Sequence, residues 1–390
     1  ATGDTQFTNL KNLVEGEMHN GSGDVTLTYG TAVVAGTADS QTLNVSNTTA
    51  GTFTAAGVET VNVKTGILAS TLTAITAANA TKITASGDTA LTVNTALTQA
   101  TIDGSAMTGA LTVTAGAAVQ AISGGSGNDT IDMVATLTSA DVIKGGLGTD
   151  TMNLTAAGTI DATATTGELI GVSGIETIQV SSTADAATLD LTGFAGVTNL
   201  NAAANTRTVT IATAPGTTTE TISFVLNGVT HTTAAVGINN IAASASAVKT
   251  TIDALSGFTA TSAIGVVTIT ADTNEAVEIG TFAESASTTS SYTLADYKDV
   301  TFSNLEADTV VNVYSGDSVT ATLADASGTA DHLTVNLATK AGDKGFAHSV
   351  GAVVVANVET VTLNSSGMTD GIANTLDVLT SDATTTTLNI

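Results

Sequence analysis

The chain has 390 residues, with 9 Lys and Arg against 35 Asp and Glu and a formal net charge of −26. That balance argues against nucleic acid and anionic membrane as partners and in favour of cations. With 11% charged and 42% hydrophobic residues the chain can bury a core, so it is not an acidic disordered tail. Aromatics are 3%, Trp is absent, and the apolar residues are mostly Ala, Val, Ile and Leu; with abundant Thr they suit tightly stacked β-structure. Cys is absent, which removes disulfides and any reading of redox compartment. No apolar run approaches the ~20 residues of a membrane span.

From the N-terminus, Gly21-Ser22-Gly23-Asp24 predicts a turn and Val25–Tyr29 an alternating strand. A unit then recurs three times: a Gly-Thr-(x)-Asp turn, a short strand, a loop, and a strand built as β-Glu-Thr-β-x-β. The first copy has Gly36 to Asp39 and later Gly57-Val58-Glu59-Thr60-Val61-Asn62-Val63. The second has Gly148-Thr149-Asp150 and Gly174-Ile175-Glu176-Thr177-Ile178-Gln179-Val180. The third has Gly328 to Asp331 and Asn357-Val358-Glu359-Thr360-Val361-Thr362-Leu363. Between the copies, segments 70–119, 189–211 and 299–323 string strands of a few residues between Gly, Asn and Asp turns. Irregular repeats of short strands predict a mainly β fold of parallel β-solenoid coils.

Two nonapeptides stand out, Gly124-Gly125-Ser126-Gly127-Asn128-Asp129-Thr130-Ile131-Asp132 and Gly145-Gly146-Leu147-Gly148-Thr149-Asp150-Thr151-Met152-Asn153. Each follows G-G-x-G-x-D-x-hydrophobic-x, the RTX calcium-roll pattern. Glycines permit φ > 0 and close backbone approach, and the Asp adds a hard oxygen suited to Ca²⁺. The motifs start 21 residues apart, one coil plus three residues, which predicts Asp129 and Asp150 in adjacent turns with an ion between them. The half-coil from Met133 to Asp141 lacks glycines and is expected to bind none. The alternative is a pair of ordinary Gly-Asp turns.

Residues 217–286 break the pattern. Thr221–Leu226 and Val229–Thr232 flank Asn227-Gly228, a hairpin signal. Ile241, Ala245, Val248, Ile252 and Leu255 recur at helical spacing, with Asn239 or Asn240 as cap and Gly257 as stop. A second hairpin is expected between Val266–Thr270 and Ala276–Ile279. Three regions follow: β-solenoid over 1–216, an inserted ββαββ domain over 217–286 opened by the single Pro215, and β-solenoid again over 287–390.

The tandem nonapeptides, the "GVETVNV", "GIETIQV" and "NVETVTL" strands and the phrase "TIDGSAMTG" together resemble the RTX-containing surface-layer (S-layer) proteins of Gram-negative bacteria. The resemblance covers most of 30–210 and 300–390; the family has longer arrays than the two motifs here. It implies an RTX-like β-roll, export unfolded by type I secretion, and assembly on the extracellular cell surface with Ca²⁺ into a lattice of copies of itself. It also implies contact with outer-membrane lipopolysaccharide through a region that the residues do not identify. Carried onto this chain, the ion ligands are the Asp129 and Asp150 carboxylates and backbone carbonyls near Gly125, Gly127, Gly146 and Gly148, with Asn128 and Asp132 beside them. Asp39 and Asp331 are further candidates, or else turn-stabilising side chains. Glu59, Glu176 and Glu359 are ion ligands or outward-facing residues of alternating strands.

No zinc spacing, Gly-x-Ser-x-Gly elbow, phosphate loop or Cys nucleophile occurs, so an enzyme is not expected. His19, His231, His332 and His348 are expected at the surface. The expected function is structural, with an RTX-type adhesin fragment as alternative. A β-helical polysaccharide enzyme is a third reading that 9 scattered basic residues support poorly.

Overall fold

Alternation decides the fold. In Leu111–Ala115, Leu111, Val113 and Ala115 are buried while the two Thr side chains face outward. β-Branched Thr on the outer face favours the extended chain, and the small apolar residues opposite fill a thin core. The computed structural model describes the chain apart from residues 1–2, 135–136, 157, 163–166, 183–186, 203–205, 214–219, 238–239, 256, 272–276, 278, 286–290, 295–298, 314–315, 326, 329, 338–348 and 366–373. The result is a largely parallel β-sheet fold carrying one inserted helical segment. It divides into two units: 1–155, 160–178 and 193–197 in the first, and the remainder in the second.

In the first unit the chain visits its sheets in turn and pairs with itself about 20 residues later. Lys82–Gly87 pairs in parallel with Thr101–Met107, that with Ala121–Ser123, and that with Val142–Lys144. A second row runs Ser70–Leu72, Leu91–Leu97, Leu111–Ala115, Thr130–Val134 and Thr151–Ala156. Its register stacks Thr71, Thr92, Thr112, Thr130 and Thr151 in one outward column. A third row joins Thr5–Leu10, Val25–Tyr29, Thr52–Ala55 and Ala74–Thr76. Parallel partners need a crossover, and here strands of the other rows supply it.

The second unit repeats this logic. Asn199–Ala202, Val310–Val313, His332–Leu337 and Thr360–Ser365 pair in parallel. Their register stacks Asn201, Asn312, Asn336 and Asn364, whose side-chain amides donate along the column at 2.8, 2.8 and 2.9 Å. A neighbouring row, Ala187–Asp190, Val300–Leu305, Gly316–Leu323, Ser349–Ala356 and Thr375–Ser381, is likewise parallel.

Between these strands the second unit carries an antiparallel module with its own core of Phe224, Val248, Ile252, Val267 and Ile269 among others. Ile222–Leu226 and Val229–Thr232 form the expected hairpin, with Asn227 and Gly228 at φ 45° and 77°. The helix spans Ile241–Asp253, and the Asn240 side chain accepts the Ala243 N–H. Asn239, Pro215, Ala276 and Glu278 lie outside the described residues. The second hairpin differs from expectation. Val266–Ala271 turns back on Phe258–Ala263 through Ile264-Gly265, with Gly265 at φ 75°, whereas Ile279–Glu284 pairs with Ile222–Leu226. Phe258–Ala263 hides from sequence reading because only one of its six residues, Ala260, is buried. The module also recruits Thr206–Thr213 as a central strand and Ser291–Leu294 at its edge, both outside 217–286.

Two outcomes are expected. A fragment of residues 206–294 unfolds cooperatively by circular dichroism. One of residues 217–286 does not, because it lacks Val209 and Ile211, which are 0% and 1% exposed. Asn336→Ala cuts two rungs of the amide column and lowers stability by about 1–3 kcal/mol in denaturant titration.

Candidate metal centre

The two nonapeptide turns lie side by side because their strands pair in register, Thr130↔Thr151, Ile131↔Met152 and Asp132↔Asn153. Glycine is required by the closeness of that stack. A Cβ on Gly146 (φ 119°) would fall 2.1 Å from the Gly125 carbonyl oxygen, and one on Gly148 (φ 122°) 2.3 Å from that of Gly127. The Leu147 N–H donates to the Gly125 carbonyl at 2.9 Å, and the Thr149 N–H to Asn128 Oδ1 at 3.0 Å.

Asp129 and Asp150 are each 1% exposed. Asp129 has a donor on each oxygen: Oδ1 accepts the Leu111 N–H at 2.7 Å and Oδ2 the Gly125 N–H at 2.6 Å. Asp150 differs. Its Oδ1 accepts the Asp129 N–H at 2.8 Å, but Oδ2 is buried with no hydrogen-bond partner. Asp150 in turn donates its N–H to Glu176 Oε2 at 2.8 Å, while Glu176 and Thr177 return their N–H groups to the Asp150 carbonyl at 3.2 and 2.9 Å. Burial pushes the Asp129 carboxyl up against the two amides that hold it down. Asp150 is pushed up to about 6 by burial, with the Asp129 and Glu176 charges adding to the shift and the Asp129 amide opposing it.

The same clamp appears in the other two repeats. The Asp39 N–H donates to Glu59 Oε2 at 2.8 Å, and Glu59 and Thr60 bond back to the Asp39 carbonyl. The Asp331 N–H donates to Glu359 Oε2 at 3.0 Å, and Thr360 bonds back. The repeated Glu residues are therefore not outward-facing strand residues: each precedes its strand, is half-buried, and caps the Asp turn one coil earlier. Asp39 Oδ2 accepts the Gly36 N–H at 3.1 Å, the turn-stabilising role. Asp331 Oδ2 has no partner, and loss of solvent with the charges of Glu359, Asp325 and Asp308 pushes its carboxyl up.

The structure does not bring all the candidates together. Asp132 lies two residues into its strand, where Oδ1 accepts from Asn153 Nδ2. Asn128 is exposed and serves the neighbouring turn. Sequence reading missed Asp141, which is 2% exposed at the end of the glycine-free half-coil. Its Oδ1 accepts the Gln120 N–H at 2.7 Å and its Oδ2 the Thr138 N–H and hydroxyl at 2.8 and 2.9 Å. The signal was available: Thr138-Ser139-Ala140-Asp141 closes on its Asp over three residues, as Gly36 to Asp39 does. His332 is half-buried, its ring linking Asp308 at 3.4 Å to the Thr362 hydroxyl at 2.8 Å. His348 lies outside the described residues.

Among the described residues no three His, Cys, Asp or Glu side chains form a metal cluster. A cation here would have to draw backbone carbonyls as well as carboxylates, and the donor set is all oxygen, as Ca²⁺ prefers. Among the described residues no helix is long and apolar enough to cross a membrane. No protein-family model matches the chain, and no curated protein is significantly similar to it.

The Asp150 environment sets a pH dependence. A carboxyl raised to about 6 from 3.8 binds its proton more tightly in the folded state than in the unfolded chain. The stability it contributes is fully present below the unfolded value and is lost as the pH rises through about 6. In chelator, wild type is expected to lose stability relative to Asp150→Asn across this window; denaturant titrations at stepped pH read the difference.

Proposed function

We propose that this chain is a structural, calcium-dependent protein of the bacterial cell surface, a parallel β-solenoid with an RTX-like roll that tiles into a surface-layer lattice. The observation that carries the reading is the stack of two nonapeptide turns with both Asp carboxylates buried, in a chain that holds 35 acidic against 9 basic residues. Buried carboxylates without enough cationic partners cost stability, and a bound cation offsets that cost. The parallel rows that return about every 20 residues support the solenoid. Self-repulsion at −26 opposes both folding and packing of copies against one another, so one ion serves both steps. Extracellular calcium modules bind at roughly 10⁻⁴ to 10⁻³ M, which keeps such a chain loose inside a cell and ordered outside it.

The test is a Ca²⁺ titration from micromolar to millimolar, followed by circular dichroism, light scattering and negative-stain microscopy. β-Signal is expected to rise before scattering, ordered arrays to appear with Ca²⁺ and vanish with chelator, and Mg²⁺ to substitute poorly because it demands a tighter octahedron. A protein that is fully folded in chelator and assembles without regard to calcium contradicts the proposal.

A further inference from the structure

We propose that the cation is held by Asp150 and Glu176, with the Gly174 carbonyl, in the turn that follows the second nonapeptide, and is not shared between Asp129 and Asp150. The assignment deepens the calcium reading above and rests on it. Three observations carry it. First, each oxygen of the Asp129 carboxylate has an amide donor, at 2.7 and 2.6 Å. Asp150 Oδ2, in a side chain that is 99% buried by its 1% exposure, has none. A buried ionised oxygen without a donor is costly, and it faces two further acids, Asp129 and Glu176.

Second, a cradle of oxygens lies above Gly145. The point where a Cβ on that residue would sit is 1.8 Å from the Gly174 carbonyl oxygen and 2.6 Å from Asp150 Oδ2. That point is too close to the carbonyl oxygen for Ca²⁺ itself, but the distances set the two hard oxygens, one of them charged, near enough to each other for one cation beside them to bridge both. The equivalent point one coil earlier, above Gly124, lies 2.1 Å from the Gly145 carbonyl oxygen and 2.3 Å from Asp129 Oδ2, but that oxygen has the Gly125 N–H as a donor and so less need of a cation than Asp150 Oδ2, which has none. Gly174 itself adopts φ 63°, a conformation that suits glycine and fixes its carbonyl in the turn.

Third, the Glu176 carboxylate is anchored at the Asp150 backbone by the Asp150 N–H at 2.8 Å, with its own N–H returned to the Asp150 carbonyl, near enough for its charge to act on the Asp150 carboxyl. Its carboxylate is thus placed at the coil step where the nonapeptide series ends. A divalent cation with these ligands and water completes a 6–8-oxygen shell of the kind Ca²⁺ accepts. It also neutralises the Asp150–Glu176 pair. The Glu of the β-Glu-Thr-β strand then acts as the closing ligand of a calcium run and not only as a turn cap.

The experiment is calorimetric titration of the full chain with Ca²⁺ alone, comparing wild type with Asp150→Asn, Glu176→Gln and Glu59→Gln. Glu59 makes the same cap on Asp39 without an orphan oxygen beside it, so it controls for loss of the cap. Gln retains an oxygen to accept the turn amide, and thermal melts confirm that the variants are folded. Asp150→Asn is expected to remove one site. Glu176→Gln is expected to weaken that site about tenfold, and Glu59→Gln to bind as wild type does. Wild-type binding by Glu176→Gln, or equal weakening in Glu59→Gln, overturns the assignment while leaving calcium binding in place. No heat of binding from wild type at millimolar Ca²⁺ removes the calcium reading and this site with it.

Discussion

The structure depends on one reciprocal bond pattern: the backbone of an Asp turn is held by an acidic side chain from the next coil. The Asp129 amide goes to Asp150 and the Asp150 amide to Glu176. The Asp39 amide goes to Glu59 and the Asp331 amide to Glu359. Parallel strands bond to each other along their length, but the turns between them would otherwise leave amides without acceptors, and buried amides must be satisfied. A carboxylate is a strong acceptor for such an amide, and placing one at each step aligns successive coils.

The same device concentrates negative charge. Every clamp sets a carboxylate over the carboxyl-bearing turn before it, and the chain has 9 basic residues to offset 35 acidic ones. At Asp129 an amide on each oxygen opposes the rise that burial imposes on the carboxyl. At Asp150, where Oδ2 has no donor, the carboxyl is pushed up to about 6 and keeps its proton to higher pH. This links the fold to the proposed function: an ion that completes the turn also lowers the self-repulsion that opposes packing.

Much of this was legible in the sequence. The 21-residue interval between nonapeptides translates directly into the Thr130↔Thr151 register. Asn227-Gly228 specified its hairpin, and Asn240 its helix cap, because both are local signals. The partner of Val266–Ala271 was not legible, since Phe258–Ala263 shows little alternation and Ile264-Gly265 is a weak turn signal. Nor was the role of the repeated Glu residues, or of Asp141. Their acceptors and donors lie 20 to 28 residues away in sequence and become neighbours only once the coils stack.

Amide hydrogen exchange across residues 124–154, with and without Ca²⁺, tests the central claim most directly. If cations complete the carboxylate turns, the amides of Asp129, Asp150 and Thr151 exchange much more slowly with calcium, while the helix Ile241–Asp253, which carries no such turn, changes little. Equal protection of the 124–154 turns in calcium and in chelator would contradict it.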